Sequence, residues 1–567
     1  MTCGIVGAGG AGLSAAEVRY RIIDLGVLAE QEPTGTTSRA LGINNSGAVV
    51  GASDADDGTG GVVVHAFVWL PEPFFGPTLP TMEMIDLTAE AGFGGLGIAH
   101  DVNTSGDVVG EQHLTLDPEF GEISRAFWWD LDAVGTPGWA IELGVACLGA
   151  PENCEHLDSA AFAVNDAVPA IAIGVTGTGI VCFGVPRAKA GFHMTLDGAS
   201  MMQALGSLPG GEVGVSDARA VANPDQLTSE VGIGGFSENC GNQGVCEGSR
   251  DSVVWIGPAG QAGAPSYVEE LSVDPDGFPG EVLGMNGVGL DGELVGRSGA
   301  VCTGGFFVDV QHAVYWVDYQ ASPVDLHAVY LPGDTEVSSV ANAIRNRASN
   351  GSVEVVGTDT VNNLAIAWRQ AAIGQAWEAA SLTDEISPLC DWELLNEASD
   401  VNDSGWIVGR GDHDPSPADL RERAYLLIPV LCFGDLDTDG TVDGADLGVL
   451  LAAWGPCAPT PTGEPSCTYC VLGSTCPADL DCSGDVDGAD LGLVLAQFGC
   501  GVPSTGGSGQ SAIMAGSEAA SLSLEDALAL AGFASVEALV QWCATADPSE
   551  VEALGIWLAG VMGGGAQ

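Results

Sequence analysis

Two twelve-residue stretches near the C-terminal end of this 567-residue chain carry oxygen-bearing side chains at alternate positions: DLDTDGTVDGAD from Asp435 and DLDCSGDVDGAD from Asp479. Positions one, three and five are Asp435, Asp437 and Asp439 in the first copy, and Asp479, Asp481 and Ser483 in the second. Position seven, Thr441 or Asp485, offers its main-chain oxygen; position nine, Asp443 or Asp487, acts through water; Asp446 and Asp490 close the loops. A hard divalent cation takes six to eight oxygens at this spacing and needs glycine at the sixth position for a sharp turn. Gly440 and Gly484 stand there. The pattern predicts two calcium sites, and the duplication makes it specific: aligned over 22 residues from Gly434 and Ala478, the copies match at fourteen positions.

The elements that must position these ligands are short. LGVLLAAWG follows Asp446 and LGLVLAQFG follows Asp490; each reads as a helix ending at glycine, with Pro456 reinforcing the first stop. No Lys, Arg or His occurs after Arg423, so side-chain cations of this segment cannot neutralise its carboxylates. In these loop-helix copies the segment at about 433–500 resembles the type I dockerins. The resemblance implies one small α-helical module, two EF-hand-like calcium repeats, and a cohesin-type domain as partner. Ser483 departs from the usual Asn or Asp, and Gly444-Ala445 and Gly488-Ala489 stand where hydroxyl residues often make the cohesin contact. Cys457, Cys467, Cys470, Cys476, Cys482 and Cys500 accompany the loops. Disulfides in an oxidising compartment account for them more simply than zinc held by Cys467-x-x-Cys470.

Fifteen Lys plus Arg against 76 Asp plus Glu give a net charge of -61, which repels nucleic-acid backbones and anionic membrane surfaces. Apolar residues at 46% nevertheless support a folded core. Cys147 with Cys154 and Cys240 with Cys246 enclose short loops without neighbouring His, again favouring disulfides and secretion. Residues 1–16 read as the remnant of a signal peptide cleaved before Glu17, although no basic residue precedes the apolar run. Gly7, Gly9 and Gly12 imitate a dinucleotide fingerprint, but only Cys3 to Val6 precede them and no βαβ unit follows. No apolar run reaches the ~18 residues that span a bilayer.

The bulk of the chain repeats. ALGINNSGAVVG from Ala40, AHDVNTSGDVVG from Ala99 and ASDVNDSGWIVG from Ala398 each alternate apolar and polar residues about an Asn/Asp-Ser-Gly turn, as a tight antiparallel hairpin does. Weaker copies close on glycine in between, so that Gly51, Gly110, Gly174, Gly232, Gly296, Gly357 and Gly409 mark seven units. A third strand follows (HAFVW at His65, RAFWW at Arg125, HAVYW at His312), then a short fourth such as MIDL at Met84. Trp69, Trp129, Trp255, Trp316 and Trp368 share one column and read as core. The last unit lacks a fourth strand, whereas RIIDL at Arg21 is a surplus one, which predicts a seven-bladed β-propeller closed by its N-terminal strand.

In the HAF tripeptide and its GINNSG partner, residues 20–430 resemble the extracellular HAF repeats, which implies a propeller-like scaffold and no defined reaction. His65 and His312 alternate with Arg125 and Arg423 in one column and read as strand-edge residues; no ligand-spaced cluster marks a catalytic site. The expected organisation is a mainly β propeller at 17–430, the dockerin at 433–500, a linker at 501–516 and a small helical segment at 517–567. The expected role is a secreted docking protein whose propeller binds an extracellular polysaccharide or protein. The alternative is a dockerin-bearing enzyme of polysaccharide breakdown.

Overall fold

A computed structural model describes residues 20–429 apart from intervening stretches, the longest of them 72–82 and 239–249, together with parts of 434–457 and 476–498. The expected signal remnant, linker and C-terminal helical segment lie outside the described residues, as do Cys147, Cys154, Cys240, Cys246, Cys467, Cys470, Cys482 and Cys500. Contacts divide the chain into two units, one consisting of 24–383 with 392–427, the other of the N-terminal residues, 384–391 and everything from Ile428.

The first unit is a β-propeller arrangement, and the described strands form seven four-stranded antiparallel sheets. The first sheet shows the plan: an inner strand Ser38–Ile43, then Val49–Asp56, Val62–Trp69 and a short outer strand Met84–Asp86. The inner strands of the others are Gly97–Val102, Ser159–Val164, Ser216–Val221, Gly280–Met285, Ser339–Ile344 and Trp392–Val401. The outermost strand of the last sheet is Tyr20–Asp24, hydrogen-bonded beside Arg421–Pro429. Leu25 N–H continues that pairing to the Ala424 carbonyl at 3.0 Å. The surplus N-terminal strand therefore fills the gap left by the last unit, which otherwise would present an unpaired edge.

Each repeated residue type has a mechanical reason. Trp129, Trp255 and Trp368 are wholly buried and Trp69 and Trp316 nearly so, facing the second strands across pairs such as Val49 with Trp69. The carboxylates of the outer strands hold the basic residue of the third: His65 Nδ1 lies 2.7 Å from Asp86, His312 Nδ1 3.1 Å from Asp325, and Arg125 Nε 3.1 Å from Glu142. The first Asn of the turn phrase does two jobs. In the first sheet Asn44 Oδ1 accepts from Ser46 and Ala48 N–H, which shapes the hairpin, while its Nδ2 donates to the carbonyl of Asn103 in the next sheet at 2.8 Å. Asn103 repeats the bond to Asn165, Asn165 to Ala222, and Asn286 to Arg345. Asn402 returns it from the seventh sheet to the Asn44 carbonyl at 3.1 Å.

All seven inner strands carry a β-bulge at the same place. In the first, Ala40 pairs with Gly51 and Gly42 with Val50, leaving residue 41 unpaired. The same shift recurs between Ala99 and Asp101, Ala161 and Ala163, Ala218 and Ala220, Val282 and Gly284, Ala341 and Ala343, and Ala398 and Asp400. The bulge presses the preceding carbonyl onto the facing strand: a methyl on Gly51 or Gly357 would overlap the Arg39 or Val340 carbonyl oxygen. This explains the glycine column and corrects it at one point. In the fourth unit the residue opposite the bulge is Gly235, paired with Ala218, and not the Gly232 that the degraded repeat offers.

The second unit contains two nine-residue helices, Gly444–Ala452 and Gly488–Ala496. They start inside the acidic loops and not after Asp446 and Asp490; in the second, Asp487 caps the helix through Ala489 N–H and Asp490 bonds back to Asp487 N–H. Leu447, Leu450, Leu451, Leu491 and Val494 from the helices and Val442, Leu480 and Val486 from the loops form a buried core. Asp485–Val486 pairs with Gly455–Pro456 in a two-residue ladder, and a disulfide joins Cys457 to Cys476.

Candidate functional site

The acidic loops are arranged alike. In the first, Leu436 N–H donates to Asp446 Oδ1 at 2.6 Å; in the second, Leu480 N–H donates to Asp490 Oδ1 at 2.6 Å. Position twelve therefore closes each loop onto position two. Asp446 and Asp490 are fully buried and Asp479 is 1% exposed. A buried carboxylate is costly unless an opposite charge meets it, and this segment contains no Lys, Arg or His. That donor set fits a bound divalent cation. Asp485 and Asp487 are described and exposed, with Asp487 engaged as the helix cap. Asp435, Asp437, Asp439, Thr441, Asp443, Asp481 and Ser483 lie outside the described residues. The only close group of three metal-binding residue types among the described residues, Cys457, Cys476 and Asp479, contains the two disulfide sulfurs and is no zinc site.

The propeller holds a second candidate site that sequence reasoning missed. The unpaired bulge residues line one narrow channel: Leu41, His100, Phe162 and Arg219 from the first four sheets, and Leu283, Asn342 and Ser399 from the rest. Bulges re-aim side chains, and here they turn one residue per sheet towards a common space. The residue before each bulge is Ala in six sheets and Val282 in the other, at most 1% exposed in every case. The bulge column is partly exposed throughout and chemically different almost everywhere. The Arg219 guanidinium stacks over Phe162 at 3.9 Å and pairs with Asp217 at 2.6 Å.

Next in the chain, Asp101 and Asp400 also face the channel. Asp101 accepts from Val102 N–H at 2.7 Å and from Val164 N–H of the following sheet at 2.8 Å; Asp400 accepts from Val401 and, in the first sheet, Ile43 N–H, both at 2.8 Å. Burial pushes the Asp101 carboxyl up to about 6; burial and then the neighbouring Asp101 charge push Asp400 up to about 7. Sequence alone could not place them together, since they are 299 positions apart (400 less 101). The signal that could have found this site is the one column that fails to repeat.

Beyond the waist, Arg219, Leu283 and Asn342 also border a cavity of ≈ 400 Å³. Arg297 grips Glu281 through Nη2 at 2.7 Å and Nε at 3.1 Å. Arg410 bridges Glu397 at 2.7 Å and Glu422 at 2.8 Å.

No family profile matches the chain, and no curated protein matches it. Among solved structures it is similar to the β-propeller domain of the trilobed protease from Pyrococcus furiosus, with 7% identity and a TM-score of 0.36 over 69% of this chain and 93% of that one. Pyrococcus horikoshii acylaminoacyl peptidase gives 9% identity and 0.34, over 69% of this chain and 52% of the peptidase. The α-L-arabinofuranosidase Arb93A from Fusarium graminearum gives 8% and 0.32, over 72% and 98%. Among the described residues no helix is long and apolar enough to cross a membrane.

Proposed function

We propose that this chain is a secreted docking protein, in which a dockerin of two calcium-binding loops attaches a seven-bladed propeller to a cohesin-bearing extracellular assembly. One observation carries the reading: both loops close by the same bond, Leu436 to Asp446 and Leu480 to Asp490, onto fully buried carboxylates in a segment without cations. Bound calcium supplies positive charge to these carboxylates. Asp446, Asp479 and Asp490 hold it together with the remaining loop positions, and the leucines behind them couple loop filling to helix packing. Nine-residue helices do not persist alone in water, so metal binding becomes folding energy. Secretion agrees with the Cys457–Cys476 disulfide. The test is capture of the full chain on immobilised cohesin domains. Capture in calcium, lost in chelator and on truncation after residue 430, is expected; equal capture in chelator would overturn it.

A second reading, an enzyme of polysaccharide breakdown, draws on the channel pair. Two coupled carboxyls held at about 6 and about 7 are poised as general acid and base work requires. A reducing-sugar and unsaturated-product assay over a polysaccharide panel tests it: turnover that disappears in Asp400→Asn supports the enzyme, and no turnover anywhere removes it.

A further inference from the structure

Sheets of one plan build the propeller, yet they differ where they meet the channel. A column whose task was only to plug the channel could repeat one residue, as the alanine column beside it does. Instead the bulges present an imidazole, a phenyl ring, a guanidinium, an amide, a hydroxyl and two leucines. Side chains made unlike by position, on a scaffold made alike by repetition, are arranged for an asymmetric ligand.

The wall of the adjoining cavity says what kind. Its three arginines are each held by carboxylates: Arg219 by Asp217, Arg297 by Glu281, and Arg410 by Glu397 and Glu422. Four carboxylates thus face three guanidiniums, inside a protein of net charge -61, so an anionic ligand is repelled both locally and at long range. A cationic ligand would meet the guanidiniums at the wall. An apolar one would find little to touch, since Leu283 and Val340 are the only aliphatic lining residues among the described residues. Fixed donors and acceptors remain, held in charge-compensated pairs and supplemented by Asn342, Thr358 and Thr360. Asn396 Oδ1, also on this wall, is buried and has no hydrogen-bond partner among the described residues. A neutral polyhydroxyl compound matches such a surface, because each hydroxyl both donates and accepts. The volume is within the range of small-ligand sites.

We infer that the channel waist and this cavity bind the end of a neutral oligosaccharide, with Arg219 stacked on Phe162 as the positioning element. This rests on the reading of the propeller as a binding domain and is independent of the calcium loops. The test is calorimetric titration of the full chain with xylotriose, cellotriose, mannotriose and arabinotriose, and with trigalacturonate as the anionic comparator, in calcium and in chelator. At least one neutral trisaccharide should bind in both conditions, more tightly than trigalacturonate. Arg219→Ala and Ser399→Trp, the latter placing an indole in the waist, should each weaken it at least tenfold, while Ile373→Ser on the exposed surface leaves it unchanged. Thermal melts confirm that each variant is folded, and Ser399→Trp decides alone if Arg219→Ala is not. No binding by any neutral sugar, tighter binding of trigalacturonate, binding only in calcium, or full affinity in folded Ser399→Trp would overturn the inference. Loss of cohesin capture with sugar binding intact would instead remove the docking reading alone.

Discussion

The propeller and the acidic module are both built by repetition, and repetition means opposite things in them. In the module the repeated residues are the candidate site: on the proposed reading each loop holds its own ion, and Asp446 and Asp490 sit in equivalent places with equivalent bonds. In the propeller the repeated sheets surround one channel, so what repeats is scaffold (alanine, glycine, tryptophan, the Asn latch) and what varies is the surface that lines the channel. Substitutions should therefore separate by column and not by depth of burial alone.

The largest effect is expected at the glycines opposite the bulges. Gly357→Ala places a methyl on the Val340 carbonyl oxygen, and relief requires undoing the bulge; a cost of about 4 kcal/mol or more is expected in a denaturant melt of the propeller. A midpoint within error of wild type would show that the bulge does not impose glycine. The Asn latch comes next. Asn402→Ala leaves the Asn44 carbonyl and the Ser404 and Trp406 N–H groups without their partner, which costs about 1–3 kcal/mol, and more than Asn45→Ala on the exposed rim. Equal losses at the two positions would deny the latch its role.

These two predictions mark what the sequence discloses and what it hides. The strand order, the buried Trp column and the closing strand at Tyr20 follow from alternation and turn chemistry, which act between neighbours along the chain. The bulges do not. Ala40-Leu41-Gly42 reads as ordinary alternation, and only pairing with Val49–Asp56 reveals one residue too many. The latch joins residues 59 positions apart, and the cavity gathers Arg219, Glu281 and Arg410 from separate sheets. In the module the repeated acidic spacing is legible because a loop is local; the early start of its second helix is not, because it depends on the side-chain caps at Asp487 and Asp490.

A smaller effect concerns pH. With folded values of about 6 and about 7 against an ordinary 3.8, Asp101 and Asp400 bind protons more tightly in the folded than in the unfolded chain. Their contribution to stability is fully present below about 4 and is lost as pH rises through about 6 and then about 7. Asp400→Asn carries a fixed cost from its lost acceptor but should flatten this fall, so its melting temperature gains on wild type between pH 5 and pH 8. Parallel pH profiles would contradict the coupled pair. The smallest change is expected in the variable column itself: Ser399→Ala should shift stability by no more than about 0.5 kcal/mol. A large loss there would make the channel waist part of the scaffold.

The contrast between repeated site and repeated scaffold is tested most directly by calcium titration of the full chain, followed by calorimetry and circular dichroism, beside a chain truncated after residue 430. The disulfide at Cys457–Cys476 constrains part of the module without metal, so the titration is run oxidised and reduced. The account predicts two ions bound per full chain with a gain of helical signal that is larger after reduction, none in the truncated chain, and an unchanged propeller melt in both. Equal helical signal in chelator and in calcium, or calcium uptake that survives the truncation, would contradict it.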